Sequence, residues 1–145
     1  MKLVDHSILD FKENARVNGE LIDAIDDGLT AYNEANYPDP KAAPITLSIE
    51  NTDQKLVGGL TGRSAYGWMR VDVVWVAESE RGLGLGAKLI LHAEQVARER
   101  GCHGIHLDTH GFQAPEFYEG LGYESFGVLE RYPEEHPHTY YRKTL

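Results

Sequence analysis

The residues best suited to chemistry in this sequence are three alternating glycines, Gly82, Gly84 and Gly86, which lead into a helical pattern. The first amides of a helix lack partners within it, and the helix dipole favours negative charge there. Glycines let a phosphate approach the backbone because no Cβ atom stands in the way. Arg81, and Lys88 one turn into the helix, can add charge-assisted hydrogen bonds. The spacing predicts a diphosphate site, although a tight strand-to-helix turn would also use glycine.

Two known phosphate-binding motifs were compared with this loop, and neither fits the whole chain. A nucleoside-triphosphate loop ends in Gly-Lys-Ser/Thr, but Lys88 is followed by leucine, so no hydroxyl is available for magnesium. A dinucleotide fingerprint fits better, since Gly82, Gly84 and Ala87 match G-x-G-x-x-A and Asp108 closes the next strand. However, only about sixty residues follow the loop, too few for the second half of the usual parallel sheet. A dinucleotide-dependent oxidoreductase is therefore the weaker alternative.

Hydrophobic periodicity places the loop in the middle of one mixed α/β domain spanning residues 1–145. The predicted elements, in chain order, are a helix over 18–37, strands over 45–49, 55–61 and 68–76, a helix from residue 85 that ends at Gly101, a strand over 103–109, a helix over 114–121, and strands over 123–129 and 140–143. Residues 73–76 are apolar on both faces, which is typical of a central strand. In the helix after the glycines, Glu94 and Arg98 are expected to pair on the outer face.

Composition limits the class of protein. The 145 residues are 41% hydrophobic and 26% charged, which is ordinary for one soluble globular domain and argues against disorder. No apolar run approaches the ~20 residues of a membrane-spanning helix. The N-terminus carries charge at Lys2 and Asp5, unlike a signal peptide. We therefore expect a cytoplasmic protein with no membrane partner.

The charge of the chain is strongly negative. The formal net charge is −9, which argues against nucleic acid as a partner. Residues 1–60 hold eleven acidic and five basic side chains, so most of the excess lies in the N-terminal part. A negative field attracts cationic ligands, although net charge often serves only solubility.

Two motifs resemble one known family. Arg81-x-x-Gly84-x-Gly86 matches the Q/R-x-x-G-x-G/A pyrophosphate loop of the GNAT superfamily of acetyl-CoA-dependent N-acetyltransferases. Residues 117–123 resemble its second signature, F-Y-x-x-x-G-F, with Ala114 at the usual upstream alanine. The likeness covers residues 55–130 best, and Gly111 stands where the family often has asparagine. It implies a GNAT-like α/β fold: a mixed, mostly antiparallel twisted sheet of about six to seven strands flanked by helices, with the glycine loop between the central strand and the main helix.

The resemblance also implies how acetyl-CoA would bind. The residues expected to contact it are Val74, Val76, Arg81, Gly82, Gly84, Gly86 and Ala87. The pantetheine arm would lie beside the central strand near Val74 and Val76. The amide of Val74 would then polarise the thioester oxygen, a role that needs no special side chain.

Two side chains are candidates for proton transfer. The resemblance places Tyr118 beside the sulfur of the co-substrate, where a phenol can protonate the leaving thiolate. The alternative is that Tyr118 only packs in the core. Asp72, a carboxylate within the apolar central strand, is the leading candidate for the general base. Its rivals near strand ends are Glu78, His106, Asp108 and His110.

The remaining reactive side chains predict neither a metal nor a covalent intermediate. Cys102 has no paired base in the sequence and is expected to be buried and inert. His136 and His138 lack a third ligand, and we expect them to face water. Candidates for the acceptor side are Tyr32, Asp39, Tyr132, Glu134 and Glu135.

These observations predict an N-acetyltransferase that moves an acetyl group from acetyl-CoA to a primary amine by direct attack within a ternary complex. The acidic N-terminal part favours a cationic small molecule, such as an aminoglycoside-like compound or a polyamine, as the acceptor. A peptide or protein amine is the competing acceptor. A non-catalytic acyl-CoA-binding module on the same fold is the alternative from another class. Formation of a homodimer is left open.

Overall fold

The computed structural model describes residues 9–145, so the N-terminal segment that argues against a signal peptide lies outside the described residues. The chain divides into two compact units, Met1–Pro38 and Asp39–Leu145. The single domain over 1–145 stays a prediction. Within the described range, no helix is both long enough and apolar enough to cross a membrane.

The first unit contains one helix, α1 (Gly19–Asn36). The Oδ1 atom of Asn18 accepts a hydrogen bond from the Leu21 amide at 3.1 Å, which confirms Asn18 as the N-cap. Apolar side chains recur at three- and four-residue spacing, and acidic ones alternate with them. The helix therefore carries one apolar and one acidic face.

The second unit is built on a six-stranded sheet in the order β1-β2-β3-β4-β6-β5. The strands are β1 (Ala43–Glu50), β2 (Leu56–Ala65), β3 (Trp68–Val76), β4 (Gly104–His110), β5 (Glu124–Leu129) and β6 (His138–Thr144). Only β3 and β4 pair in parallel, and the other four pairings are antiparallel. This architecture confirms the mixed, mostly antiparallel sheet expected from the sequence.

Two helices complete the unit, α2 (Leu85–Glu99) between β3 and β4, and α3 (Pro115–Gly120) between β4 and β5. Leu89, Ile90, Ala93 and Ala97 of α2 are buried with apolar side chains of the sheet. Glu94 is buried too, at 1% exposure, so the expectation that it lies on the outer face is wrong.

The cost of burying the Glu94 carboxylate is offset by hydrogen bonds and by a cation. Both of its carboxylate oxygens accept hydrogen bonds from Lys143 Nζ, at 3.0 and 3.1 Å, and the Tyr123 hydroxyl donates to Oε1 at 3.1 Å. Arg98 still lies 3.6 Å from Glu94, on the exposed side. Periodicity alone cannot find such a site because the partners come from β6 and the segment before β5.

Strand β3 is central in the strand order, but its apolar residues differ in exposure. Met69 and Val71 are buried, whereas Val73 and Trp75 are 54% and 45% exposed. The register with β2 shifts opposite Asp72, which is skipped in the pairing. This bulge moves the residues after it by one position, so that Val74 and Val76 continue the core face.

Candidate active site

The candidate site is an opening between β3 and β4. The two strands pair only from Trp68 to Arg70 with Gly104 to His106. Beyond those pairs they separate, and one edge of β3 faces a cleft of about 1020 Å³. The cleft is lined by the second half of β3, the glycine loop, the end of β4 and one side of α3.

The glycine loop forms one end of this cleft. Gly82 and Gly84 have φ angles of 79° and 76°, and Gly84 is the N-cap of α2. No atom lies within 4 Å of the position that a Cβ would take at either residue. Arg81 Nε donates to the main-chain oxygen of Val76 at 3.1 Å, which holds the guanidinium at the end of β3. The loop therefore offers open backbone and one cation to an anion.

Tyr118 lies on α3, which begins with Pro115 at its first turn and faces the cleft. Its ring packs against those of Phe117, Tyr123 and Tyr141, with centroids 5.0 to 6.0 Å away. Burial raises the pKa of the Tyr118 phenol, and the negative charge of Asp108 raises it further. The Tyr118 phenol is therefore neutral at ordinary pH.

Asp72 lines the same cleft, on the open side of the bulge. Arg70 Nε donates to its Oδ1 at 2.8 Å, and the Asp72 side chain is 44% exposed. The structure therefore brings Asp72 to the site, but as half of an ion pair.

A histidine pair and a carboxylate lie at the end of β4. His138 Nε2 is 2.7 Å from Asp108 Oδ2, and His138 Nδ1 is 3.0 Å from His110 Nδ1. All three residues line the cleft. His138 is only 5% exposed, so the expectation that it faces water is wrong. Strand β6 begins two residues earlier than predicted, and its antiparallel register sets His138 beside His110.

Comparison with known proteins decides the family. Residues 15–123 match the model of the acetyltransferase (GNAT) family. The chain belongs to the GNAT acetyltransferase family. It is 40% identical over 106 residues to an acetyltransferase of Agrobacterium fabrum, an alignment that covers 73% of this chain and 77% of that protein.

Two further relatives extend the comparison. A blasticidin-S acetyltransferase of Streptomyces morookaense is 45% identical over 80 residues, which cover 54% of this chain and 59% of that protein. A crystal structure of a protein assigned as an acetyltransferase from Agrobacterium tumefaciens superimposes with a TM-score of 0.89 at 34% identity, covering 94% of this chain and 100% of that one. The GNAT fold expected from the two motifs is confirmed.

In this GNAT acetyltransferase, the cleft includes some predicted site residues and leaves out others. The predicted co-substrate residues that line it are Val74, Val76, Arg81, Gly82, Gly84, Gly86 and Ala87. Neither Lys88 nor two of the rival bases, Glu78 and His106, line the cleft. Burial and the charge of Arg70 lower the pKa of His106, which lies against Trp68 instead.

The other reactive side chains have roles outside the cleft. Cys102 is partly buried against the core rather than fully buried as expected, and this burial raises the pKa of its thiol. Asp39 Oδ1 accepts a hydrogen bond from the Lys41 amide at 3.1 Å, and Glu134 pairs with Arg131. In the part of the chain that the structure describes, no group of three or more His, Cys, Asp or Glu side chains could hold a metal ion.

Sequence reasoning missed two residues that shape the site. Gln113 Oε1 accepts from the His110 amide at 2.8 Å and from Thr109 Oγ1 at 3.0 Å, and so fixes the turn after β4. Phe112 stacks on the His110 ring at 5.0 Å. A Cβ at Gly111 would lie 3.0 Å from Pro137 Cδ, so a larger residue there would require the loop at Pro137 to shift. No periodic pattern marks Gln113 and Phe112, since they act within the turn after β4, and Gly111 depends on a loop that is distant in sequence.

Proposed function

We propose that the protein transfers an acetyl group from acetyl-CoA to a primary amine by direct attack in a ternary complex. The observation that supports this most is the open cleft that joins the glycine loop to Tyr118 across the unpaired edge of β3. Membership of the GNAT acetyltransferase family also supports acetyl-CoA as the donor of the acetyl group.

The residues of the cleft fit acetyl-CoA. The backbone of Gly82 and Gly84 is open to the approach of a diphosphate, and Arg81 supplies a nearby cation. The unpaired edge of β3 near Val74 can hydrogen-bond an extended arm as a further strand would. The amide of Val74 is our candidate for the donor that polarises the thioester oxygen.

The reaction needs two proton transfers. The amine nitrogen forms a bond to the thioester carbon, the carbon–sulfur bond breaks, and the nitrogen loses a proton while the thiolate gains one. Tyr118 is the proposed donor to the thiolate, because its phenol is neutral and lies in the cleft. Asp72 remains the acceptor predicted from the sequence, and its Oδ2 makes no hydrogen bond to any described residue.

A cationic small molecule is the proposed acceptor. The first sixty residues carry six more acidic than basic side chains, eleven against five. The blasticidin-S acetyltransferase relative, by its name, acts on a small molecule. Location in the cytoplasm and a homodimer stay predictions.

A panel of acceptors tests the proposal. The protein is mixed with acetyl-CoA and with polyamines, aminoglycosides, blasticidin S or lysine-containing peptides, and free thiol and the acetylated product are both measured. We expect turnover with at least one cationic small amine. Turnover with peptides alone would indicate the competing acceptor, and tight acetyl-CoA binding without any product would indicate a non-catalytic module.

A further inference from the structure

The His110 ring lies at the C-terminal end of β4, where contacts on several sides hold it in place. It stacks on Phe112 with an angle of 11° between the rings, and the Tyr132 ring lies 5.1 Å away. Its main-chain amide donates to Gln113 Oε1. These contacts orient a partly exposed imidazole that lines the cleft.

The hydrogen bonds of this cluster determine where its protons are. His110 Nδ1 lies 2.8 Å from the main-chain oxygen of Tyr132, and a carbonyl oxygen can only accept. His110 Nδ1 therefore carries a proton. The same N–H also reaches His138 Nδ1 at 3.0 Å, so that nitrogen accepts. A neutral His138 must then carry its proton on Nε2, from which it donates to Asp108 Oδ2.

One nitrogen of the cluster is left to react. Among the described residues, His110 Nε2 has no hydrogen-bond partner, and in the neutral ring it carries a lone pair. A proton that arrives there creates an imidazolium whose Nδ1–H already points to a chain ending in a carboxylate. Such a chain stabilises the charge as the carboxylate of a Ser-His-Asp triad stabilises its imidazolium.

We infer that His110 Nε2 is the general base that takes the proton from the attacking amine, with His138 and Asp108 as positioning residues. The inference rests on the proposed acetyl transfer. One proton moves from the amine nitrogen to Nε2 as the nitrogen–carbon bond forms, and the positive charge is stabilised by the hydrogen bonds of His110 Nδ1 to the Tyr132 carbonyl and to His138, which in turn donates to Asp108. Asp72 is the rival, and it is already bound to Arg70.

Nuclear magnetic resonance of the whole protein, with its histidines labelled with ¹⁵N, tests the proton positions without any substrate. We expect neutral His110 as the Nδ1–H tautomer and neutral His138 as the Nε2–H tautomer. Finding His110 as the Nε2–H tautomer would overturn the inference, because no lone pair would then be available at the open nitrogen.

Rescue kinetics test the role in catalysis. His110→Ala should lower kcat by about 10²- to 10⁴-fold, with the affinity for acetyl-CoA unchanged, and added imidazole should restore part of the rate. Asp108→Asn should lower kcat without such rescue, since the base is still present. His92→Ala, on the exposed side of α2, is the matched control. Its kcat should equal that of the parent, and added imidazole should not change it.

Each other outcome has a definite meaning. A His110→Ala variant within about twofold of the parent, or one that is slow but not rescued, would overturn the inference alone. Loss of activity in Asp72→Asn together with full activity in His110→Ala would make Asp72 the base. A parent that acetylates no amine would instead overturn the proposed function.

Discussion

Tyr118 combines two properties that a proton donor needs, a fixed position and a neutral hydroxyl. Three aromatic rings hold its side chain, and both burial and Asp108 raise the pKa of its phenol. Within the described residues its hydroxyl makes no hydrogen bond that would compete with a substrate. Asp108 thus adds to the effect of burial on the Tyr118 phenol and also ends the hydrogen-bonded chain from His110.

Tyr118→Phe removes one oxygen and leaves the ring packing intact. We expect turnover at saturating substrates to fall by about 10²- to 10⁴-fold, equivalent to about 3–5 kcal/mol in barrier, with unchanged affinity for acetyl-CoA. A tyrosine that only packs would lose stability rather than rate, so the melting temperature is measured alongside. Turnover within about twofold of the parent would remove the general-acid role.

Gly84 tests the phosphate site, and Gly101 provides a matched control. Both have a left-handed φ, 76° and 73°, and neither has an atom within 4 Å of the Cβ position. A valine at either position should cost about 1–2 kcal/mol of stability through backbone strain. Only Gly84→Val should lose acetyl-CoA affinity, by about 100-fold or more, because its side chain occupies the space for the diphosphate. Calorimetry with equal affinities for the two variants would contradict the assignment.

The helices and strands themselves were predictable from the sequence because local patterns specify them. Asn18 caps α1, and β3 has the bounds that its apolar run predicts. What the sequence could not show depends on pairing between distant segments. Glu94 is buried because Lys143 reaches it from β6, and His138 enters the site because β6 begins early beside β4.

The residues of the candidate site divide in the same way, into those marked by local motifs and those brought together by strand pairing. The glycine loop and Tyr118 lie in contiguous motifs, and the structure places both at one cleft. By contrast, the partnership of His110 with His138 joins residues that are far apart in the chain and meet only through the register of two strands. The exposure of Trp75 was also missed, since an apolar run in the sequence does not reveal how much of each side chain the fold buries.

The buried ion pair predicts a large loss of stability when one partner is removed. Lys143→Met removes the cation that hydrogen-bonds both Glu94 oxygens and leaves Arg98, 3.6 Å away on the exposed side, so we expect the free energy of unfolding to fall by about 3–5 kcal/mol. Arg142→Met, next to it in the same strand, removes the exposed pair with Glu124 and the contact of the guanidinium with the Phe126 ring, and should cost about 1 kcal/mol. Chemical denaturation measures both, and equal losses would contradict the role given to burial.

At the scale of the whole molecule, charge is unevenly divided. Residues 61–145 hold the other twelve acidic and nine basic side chains, 23 − 11 and 14 − 5, so their excess of three is half that of the first sixty residues. Most of the negative field thus originates outside the segment that carries the glycine loop and Tyr118. A field of this sign would attract the proposed cationic acceptor and repel an anionic donor, so we expect donor binding to depend on the local contacts of the loop.

The structure of the protein bound to acetyl-CoA is the most direct test of the central claim, that the opening between β3 and β4 is the acetyl-transfer site. We expect the diphosphate on the amides of Gly82 to Ala87, the thioester beside Val74, and the sulfur within hydrogen-bond reach of the Tyr118 hydroxyl. Acetyl-CoA bound elsewhere, or in this cleft with its sulfur far from Tyr118, would contradict the account.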